Sequence, residues 1–164
     1  MGFISYEFLI FFLSVFALYW AFPERRWQNF LLFTSSMVFY GWLYPWHAAI
    51  LFVSIVVDYF LALGMARWRS RAVLLLWTGV ALNLGLLASV KYYNHFNEFL
   101  AAWADQVGFS NDVFFSYIIL PLGVSFFTLK KISYLIEVNR GSLQPMRNFV
   151  SYGAYVSFFP QLLS

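Results

Sequence analysis

"PLGVSFFTLKKISYLIEVNRG", residues 121–141, decides how the rest of the chain is read. Pro121 and Gly123 interrupt an apolar run, so one helix should end near Leu120 and another should start just beyond Gly123. At about 100° per residue, Lys130, Ser133, Tyr134 and Glu137 gather on one side of that second helix, with Gly123 and Phe126 above them. Thr128, Ile132 and Leu135 face the other way. A stripe of this kind needs water, protein or a polar ligand beside it. If the surroundings are apolar, charges at depth are tolerated only inside a bundle or along a cavity. Two readings stand. Lys130 and Lys131 snorkel to a headgroup layer, or Lys130, Ser133, Tyr134 and Glu137 line a cavity that opens to an aqueous face.

The surroundings are apolar. Of 164 residues, 62% are hydrophobic, 24% aromatic and only 10% charged, whereas soluble domains carry about 25% charged residues. So little polar surface cannot cover a water-soluble fold, and the composition points to an integral membrane protein. The absence of cysteine excludes disulfides, thiolate metal sites and a cysteine nucleophile. The net charge of +3 comes from basic residues scattered between apolar runs, which argues against a nucleic-acid partner. No Gly-rich phosphate loop, paired carboxylate or His-x-x-x-His pattern is present, so no metal and no bound cofactor are expected.

Apolar runs of membrane length, about 20 residues each, cover roughly 3–22, 28–44, 46–66 and 72–92, with two more at about 113–138 and 148–164. Pro23-Glu24-Arg25-Arg26 closes the first and Arg67-Trp68-Arg69-Ser70-Arg71 closes the third. Lys91-Tyr92-Tyr93 ends the fourth. The first lacks the basic flank and small-residue cleavage site of a signal peptide. Between residues 93 and 112, Phe96, Phe99, Leu100, Trp103 and Val107 recur at three- to four-residue spacing among polar residues, the pattern of an amphipathic helix in the interface. The expected fold class is therefore all-α: a polytopic transmembrane helical bundle with an interfacial amphipathic helix and a Pro/Gly-broken helix.

Loop charge orients the bundle. Arg25, Arg26, Arg67, Arg69 and Arg71 fall on one side if each run crosses once. The connection at 44–47 carries no charge, and 93–112 carries Glu98, Asp105 and Asp112. The positive-inside rule puts the Arg loops in the cytoplasm and the N-terminus outside, in a multi-pass protein of the cytoplasmic membrane. Asp58 lies in the middle of the third run, and an ionisable group at that depth is a functional candidate. Asn83, on the antiparallel fourth run, lies within about one helical turn of the same depth at about 1.5 Å per residue. The favoured reading is a polar tie between Asp58 and Asn83, in which an Asn at position 58 would also serve.

The opening stretch closely resembles the pattern PLGISFFTF-x-x-ISYLIDVYRG of the membrane-bound O-acyltransferase family. The resemblance is to its bacterial branch for alginate O-acetylation and teichoic-acid D-alanylation. In the same order, "NFLLFTSSMVFYGWLYPW" (29–46) looks like the family's second helix and "ALNLGLLASVKYYNHF" (81–96) like its fourth. "NFVSYGAYVSFFPQLLS" (148–164) looks like the approach to its Phe-Pro-Gln-Leu segment. The similarity runs through nearly the whole chain, so residues 1–164 read as the N-terminal portion of such a domain.

The resemblance implies transfer of an acyl group, most simply acetyl, from a cytoplasmic thioester donor towards a hydroxyl of an extracytoplasmic polysaccharide. The donor, acetyl-CoA or an acyl carrier, is then a substrate. An extracytoplasmic acyltransferase, an acyl carrier and the lipid bilayer are the implied partners. The family's general base is a buried histidine, a residue whose neutral imidazole takes a hydroxyl proton near pH 7. In the family it comes well beyond residue 164. His47 and His95 match no family motif position, so no catalytic residue is assigned here, and the chain by itself is expected to be inactive. The competing class is a non-enzymatic membrane subunit, part of a transporter or channel.

Overall fold

Proline and glycine set the corners of the chain. The computed structural model describes residues 6–42, 45–107 and 123–158, with residues 94–107 described as helical backbone alone. Six α-helices run in order among these residues: α1 (Tyr6–Ala21), α2 (Arg25–Gly41), α3 (Pro45–Arg67), α4 (Ala72–Val107), α5 (Val124–Arg140) and α6 (Phe149–Ser157). A single 3-10 turn, Arg69–Arg71, joins α3 to α4. No strand occurs among the described residues.

Between α1 and α2 lie three residues, with Pro23 in the middle. Proline has no N–H to donate and forces the residue before it out of the helical region, so the chain must turn there. Arg25 and Arg26 do not sit in that turn, as the run boundaries suggested; they form the first turn of α2. Pro45 opens α3 at the position where its missing N–H costs nothing.

Two of these helices, Pro45–Arg67 and the stretch Arg69–Tyr93, are long and apolar enough to cross a membrane. The fourth helix corrects an expectation. The segment after Tyr93 was read as a separate interfacial helix, yet α4 continues without a break from Ala72 to Val107, 36 residues. At 1.5 Å per residue that is about 54 Å, well beyond a hydrocarbon layer of about 30 Å. No Pro or Gly lies between Val90 and Val107, and a change from apolar to polar side chains alters what a helix faces without ending it. Residues 108–112 fall outside the described residues.

The break at residues 121–123 is seen from its far side. Gly123 adopts a left-handed conformation (φ 72°) immediately before α5, a region open to glycine and costly for most other residues. Pro121 and the expected helix end near Leu120 lie outside the described residues. At the far end of α6 the helix stops at Ser157, after nine residues, and Phe158 is no longer helical. With nine residues, α6 is by itself too short to span a bilayer; residues 159–164 lie outside the described residues.

Packing centres on α3. It buries His47, Leu51, Ile55, Asp58, Ala62 and Met65, a spacing of three or four that keeps one stripe turned inward. Against it lie α2, α4, α5 and α6, while α1 packs along α2. The α4 and α5 axes come close because residue 79 is glycine: a Cβ there would lie 2.6 Å from Leu135 Cδ1 and 3.2 Å from Leu61 Cδ1. Outward, the bundle shows bare apolar groups, among them Ile10, Phe16 and Trp20 on α1 and Leu74 and Trp77 on α4.

Candidate functional site

Three helices each contribute one polar side chain to a point in the middle of the bundle. Asp58 of α3, Asn83 of α4 and Lys131 of α5 are 1%, 3% and 0% exposed. The Asn83 amide donates to both carboxylate oxygens of Asp58, at 2.8 and 3.0 Å, and to the Gly79 carbonyl one turn back at 2.9 Å. Lys131 Nζ lies 3.1 Å from Asp58 Oδ2 and 5.5 Å from the centre of the Phe127 ring. Asp58 thus carries two partners where one was expected.

The arrangement is incompletely satisfied. Asn83 Oδ1 has no hydrogen-bond partner, and neither do the buried hydroxyls of Thr128 and Tyr152. The Lys131 ammonium makes no well-aligned hydrogen bond despite its ion pair. Buried donors and acceptors in native proteins are nearly always paired, to protein or to ordered water.

Lys131 was the residue that reading the sequence missed. It was grouped with Lys130 as a snorkelling side chain, but it is fully buried. A signal was present. Asp58 stands nine residues before the end of α3 at Arg67, and Lys131 stands nine before the end of α5 at Arg140. Those two ends meet, since Arg69 Nη1 donates to the carbonyls of Val138 and Asn139 at the close of α5. Equal distance from a shared end puts acid and base at one depth.

The chain is similar to curated O-acetylating proteins. It is 34% identical over 174 residues to the probable alginate O-acetylase AlgI of Pseudomonas aeruginosa and 37% identical over 171 residues to that of Azotobacter vinelandii. Both matches take in 100% of this chain, and 32% and 33% of the relatives. A peptidoglycan O-acetyltransferase of Helicobacter pylori is 29% identical over 160 residues, 81% of this chain and 29% of the relative. The chain is a relative of polysaccharide O-acetylases of the membrane-bound O-acyltransferase type. It spans about a third of the length of the curated O-acetylases it matches. No family model matches it, and no solved structure matches it.

In this O-acetylase relative, the four cavity-lining candidates of α5 do not share one cavity. The buried face of the helix runs through Val124, Phe127, Thr128, Lys131, Tyr134, Leu135 and Val138. The large apolar groups turn that face towards α3 and α4, and Lys131 goes inward with them to meet Asp58. Lys130 and Ser133 flank it. They line a cavity of about 650 Å³ with Asn29 and Leu32 of α2 and with Ser151 and Tyr155 of α6. Lys130 Nζ donates to the Tyr155 carbonyl and sits 4.2 Å from the centre of that residue's ring. On the opposite wall, Asn29 donates to Ser151 Oγ at 2.9 Å.

Tyr134 faces elsewhere. Its hydroxyl accepts from the Met146 backbone N–H at 2.9 Å, and its ring packs on Tyr152 with centroids 4.8 Å apart. Glu137 accepts a short hydrogen bond from Ser142 and lies 3.8 Å from Arg140. Both therefore hold the loop between α5 and α6. Tyr59 strengthens that anchor by donating to the Arg147 carbonyl at 2.6 Å. The side chain of His95 falls outside the described residues, and His47 is buried beside Trp46 with ring centroids 4.4 Å apart. Among the described residues no group of three His, Cys, Asp or Glu could hold a metal.

Proposed function

We propose that the chain is the N-terminal membrane part of an O-acyltransferase. The whole protein moves an acyl group, of the acetyl kind its relatives are named for, from a cytoplasmic thioester donor towards a hydroxyl of an extracytoplasmic polysaccharide. The observation that carries this reading is the end-to-end similarity to alginate O-acetylases. Two helices long and apolar enough to span a membrane, and the bare apolar groups around them, support its membrane setting.

In this reading residues 1–164 form a scaffold and one wall of the transfer path. Lys130 and Ser133, with Asn29 and Ser151 across the cavity, present polar groups where an acyl carbonyl or a hydroxyl passes between α2, α5 and α6. The base that takes the hydroxyl proton as the thiolate leaves is a histidine of the remaining chain, so residues 1–164 alone do not transfer acyl groups. The acyl carrier and the extracytoplasmic transferase remain the partners of the whole protein.

Complementation tests this. The full-length protein, expressed in a strain deleted for its alginate O-acetylase, should restore polymer acetylation, whereas residues 1–164 alone should not. Lys130→Ala in the full-length protein should lower polymer acetyl content about tenfold or more at unchanged membrane abundance, the loss expected when a positioned charged group is removed. Acetylation by residues 1–164 alone would overturn the division of labour. Unchanged acetylation in Lys130→Ala would remove that residue from the path.

A further inference from the structure

Where α3 and α5 end, a cavity of about 690 Å³ shares no lining residue with the Lys130 cavity. Three arginines line it and no acid does: Arg67 closes α3, Arg69 lies in the turn after it, and Arg147 stands in the loop before α6. We propose that this cavity binds a phosphate group, held by the guanidinium groups of Arg67, Arg69 and Arg147.

Cations near helix C-termini are ordinary, because the helix dipole favours positive charge there. Two of the three arginines fit that account. Arg67 is in the last turn of α3, and Arg69 Nη1 donates to the Val138 and Asn139 carbonyls at the end of α5. Arg147 does not fit. It stands directly before Asn148, the N-cap of α6, at the helix end that disfavours positive charge. No carboxylate offsets it: among the described residues the ion pairs are Lys131 with Asp58 and Arg140 with Glu137. An anion in the cavity supplies the counter-charge that Arg147 and Arg67 lack. The walls are held in place to receive it. A Cβ on residue 141 would lie 2.8 Å from Arg69 Nη2, so glycine, here left-handed (φ 81°), leaves that guanidinium room at the cavity wall. The loop is tied at its other end, where the Arg147 carbonyl accepts from Tyr59 at 2.6 Å and the Met146 N–H donates to Tyr134. Donor number selects the anion. A carboxylate has two oxygens and fills one arginine fork, whereas a phosphate monoester presents three acceptor oxygens and a charge of about −2. The inference needs neither acyl transfer nor an assigned membrane side.

Calorimetric titration of the full-length protein in an uncharged detergent tests it, with dioctanoyl phosphatidic acid, inorganic phosphate, dioctanoylglycerol and octanoate as separate probes. Phosphatidic acid should bind about tenfold or more tighter than dioctanoylglycerol or octanoate, the difference expected for charged hydrogen bonds made or left unmade. Inorganic phosphate identifies the source. If it binds within about tenfold of the lipid, or tighter, the site takes a soluble phosphate. If it binds more weakly than that, the site takes a lipid headgroup, with Leu63 and Leu143 of the cavity wall against the glycerol. Either result supports a phosphate site. Arg67→Gln and Arg147→Gln, both at exposed positions, should each weaken phosphate-probe binding about tenfold at an unchanged melting temperature. Arg25→Gln, outside the cavity, should not. Arg69 is left in place because it anchors the end of α5. Equal binding of dioctanoylglycerol or octanoate, equal weakening by Arg25→Gln, binding that survives both Arg67→Gln and Arg147→Gln, or no binding of either phosphate probe overturns the proposal.

Discussion

Asp58 changes meaning once Lys131 is beside it. A neutral Asn at position 58 was expected to be tolerated, because the tie to Asn83 survives the change. The ion pair with Lys131 leads to the opposite expectation. Asp58→Asn leaves the Lys131 ammonium buried at 0% exposure without a counter-ion, and breaking one side of a buried pair costs about 3–5 kcal/mol. Lys131→Met should cost about as much from the other side. The double variant Asp58→Asn/Lys131→Met should recover most of the loss, since replacing both charges removes two desolvation costs together. Thermal unfolding of the three variants in detergent checks this: a double variant whose loss equals the sum of the singles would mean the two residues do not interact. Asn83 was legible because depth along two antiparallel runs can be counted from one corner. Lys131 was not, because two adjacent lysines look alike in a sequence, while a helix turns one inward and leaves the other on its flank.

At the scale of elements, the corners were legible and the continuity was not. Pro23, Pro45 and Gly123 mark where helices stop and start because each alters the backbone itself. The polar residues after Tyr93 alter only the surroundings, so α4 runs on through them. Contact between elements was hidden for a related reason: a glycine inside an apolar helix is silent until its neighbour is known. Gly79 faces Leu135 so closely that a methyl group needs movement in a buried side chain. Gly79→Ala should therefore lower stability by about 1–3 kcal/mol through overpacking, although alanine is the better helix former by about 1 kcal/mol. Leu135→Ala, costly by itself as a buried truncation, should cost less in the Gly79→Ala background than in the native chain, because the added methyl then fills part of the space it leaves. A Gly79→Ala protein with an unchanged or raised melting temperature would show that α4 and α5 are free to part.

Across the whole molecule, the apolar outer surface and the corner arginines carry the membrane reading. Arg67, Arg69 and Arg147 surround one end of the bundle, around a cavity of about 690 Å³ where α3, α5 and the loop before α6 meet. If that end is cytoplasmic, a cysteine placed at position 69 should react with an impermeant maleimide only after the membrane is opened. One placed at position 6, at the start of α1, should react in intact cells. Reversed labelling would invert the bundle and move the donor side with it. Composition and run lengths made the all-helical class legible in the sequence, and loop charge supplies the expected orientation that the labelling tests. The sequence could not carry the pairing of α2 with α6 or the turning of Lys130 and Lys131 to different sides of α5, because these depend on which side chains meet between distant parts of the chain.

The pairing of Asp58 with Lys131 also has a history in time. The two are separated by 73 positions, from 58 to 131, so at a synthesis rate of about 5–20 residues per second the acid leaves the ribosome ~4–15 s before its base exists. An unpaired Asp at the centre of an inserting helix costs about 2.5–3.5 kcal/mol. If α3 inserts into a bilayer, its strongly apolar residues offset that cost, and Asn83, only 25 residues behind, arrives first to hold the acid. The α3–α4 hairpin is therefore a temporary shelter for a carboxylate, and the arrival of α5 converts that shelter into a lock. A ribosome stalled between the two events would leave in the membrane a hairpin whose one buried acid still waits for its base.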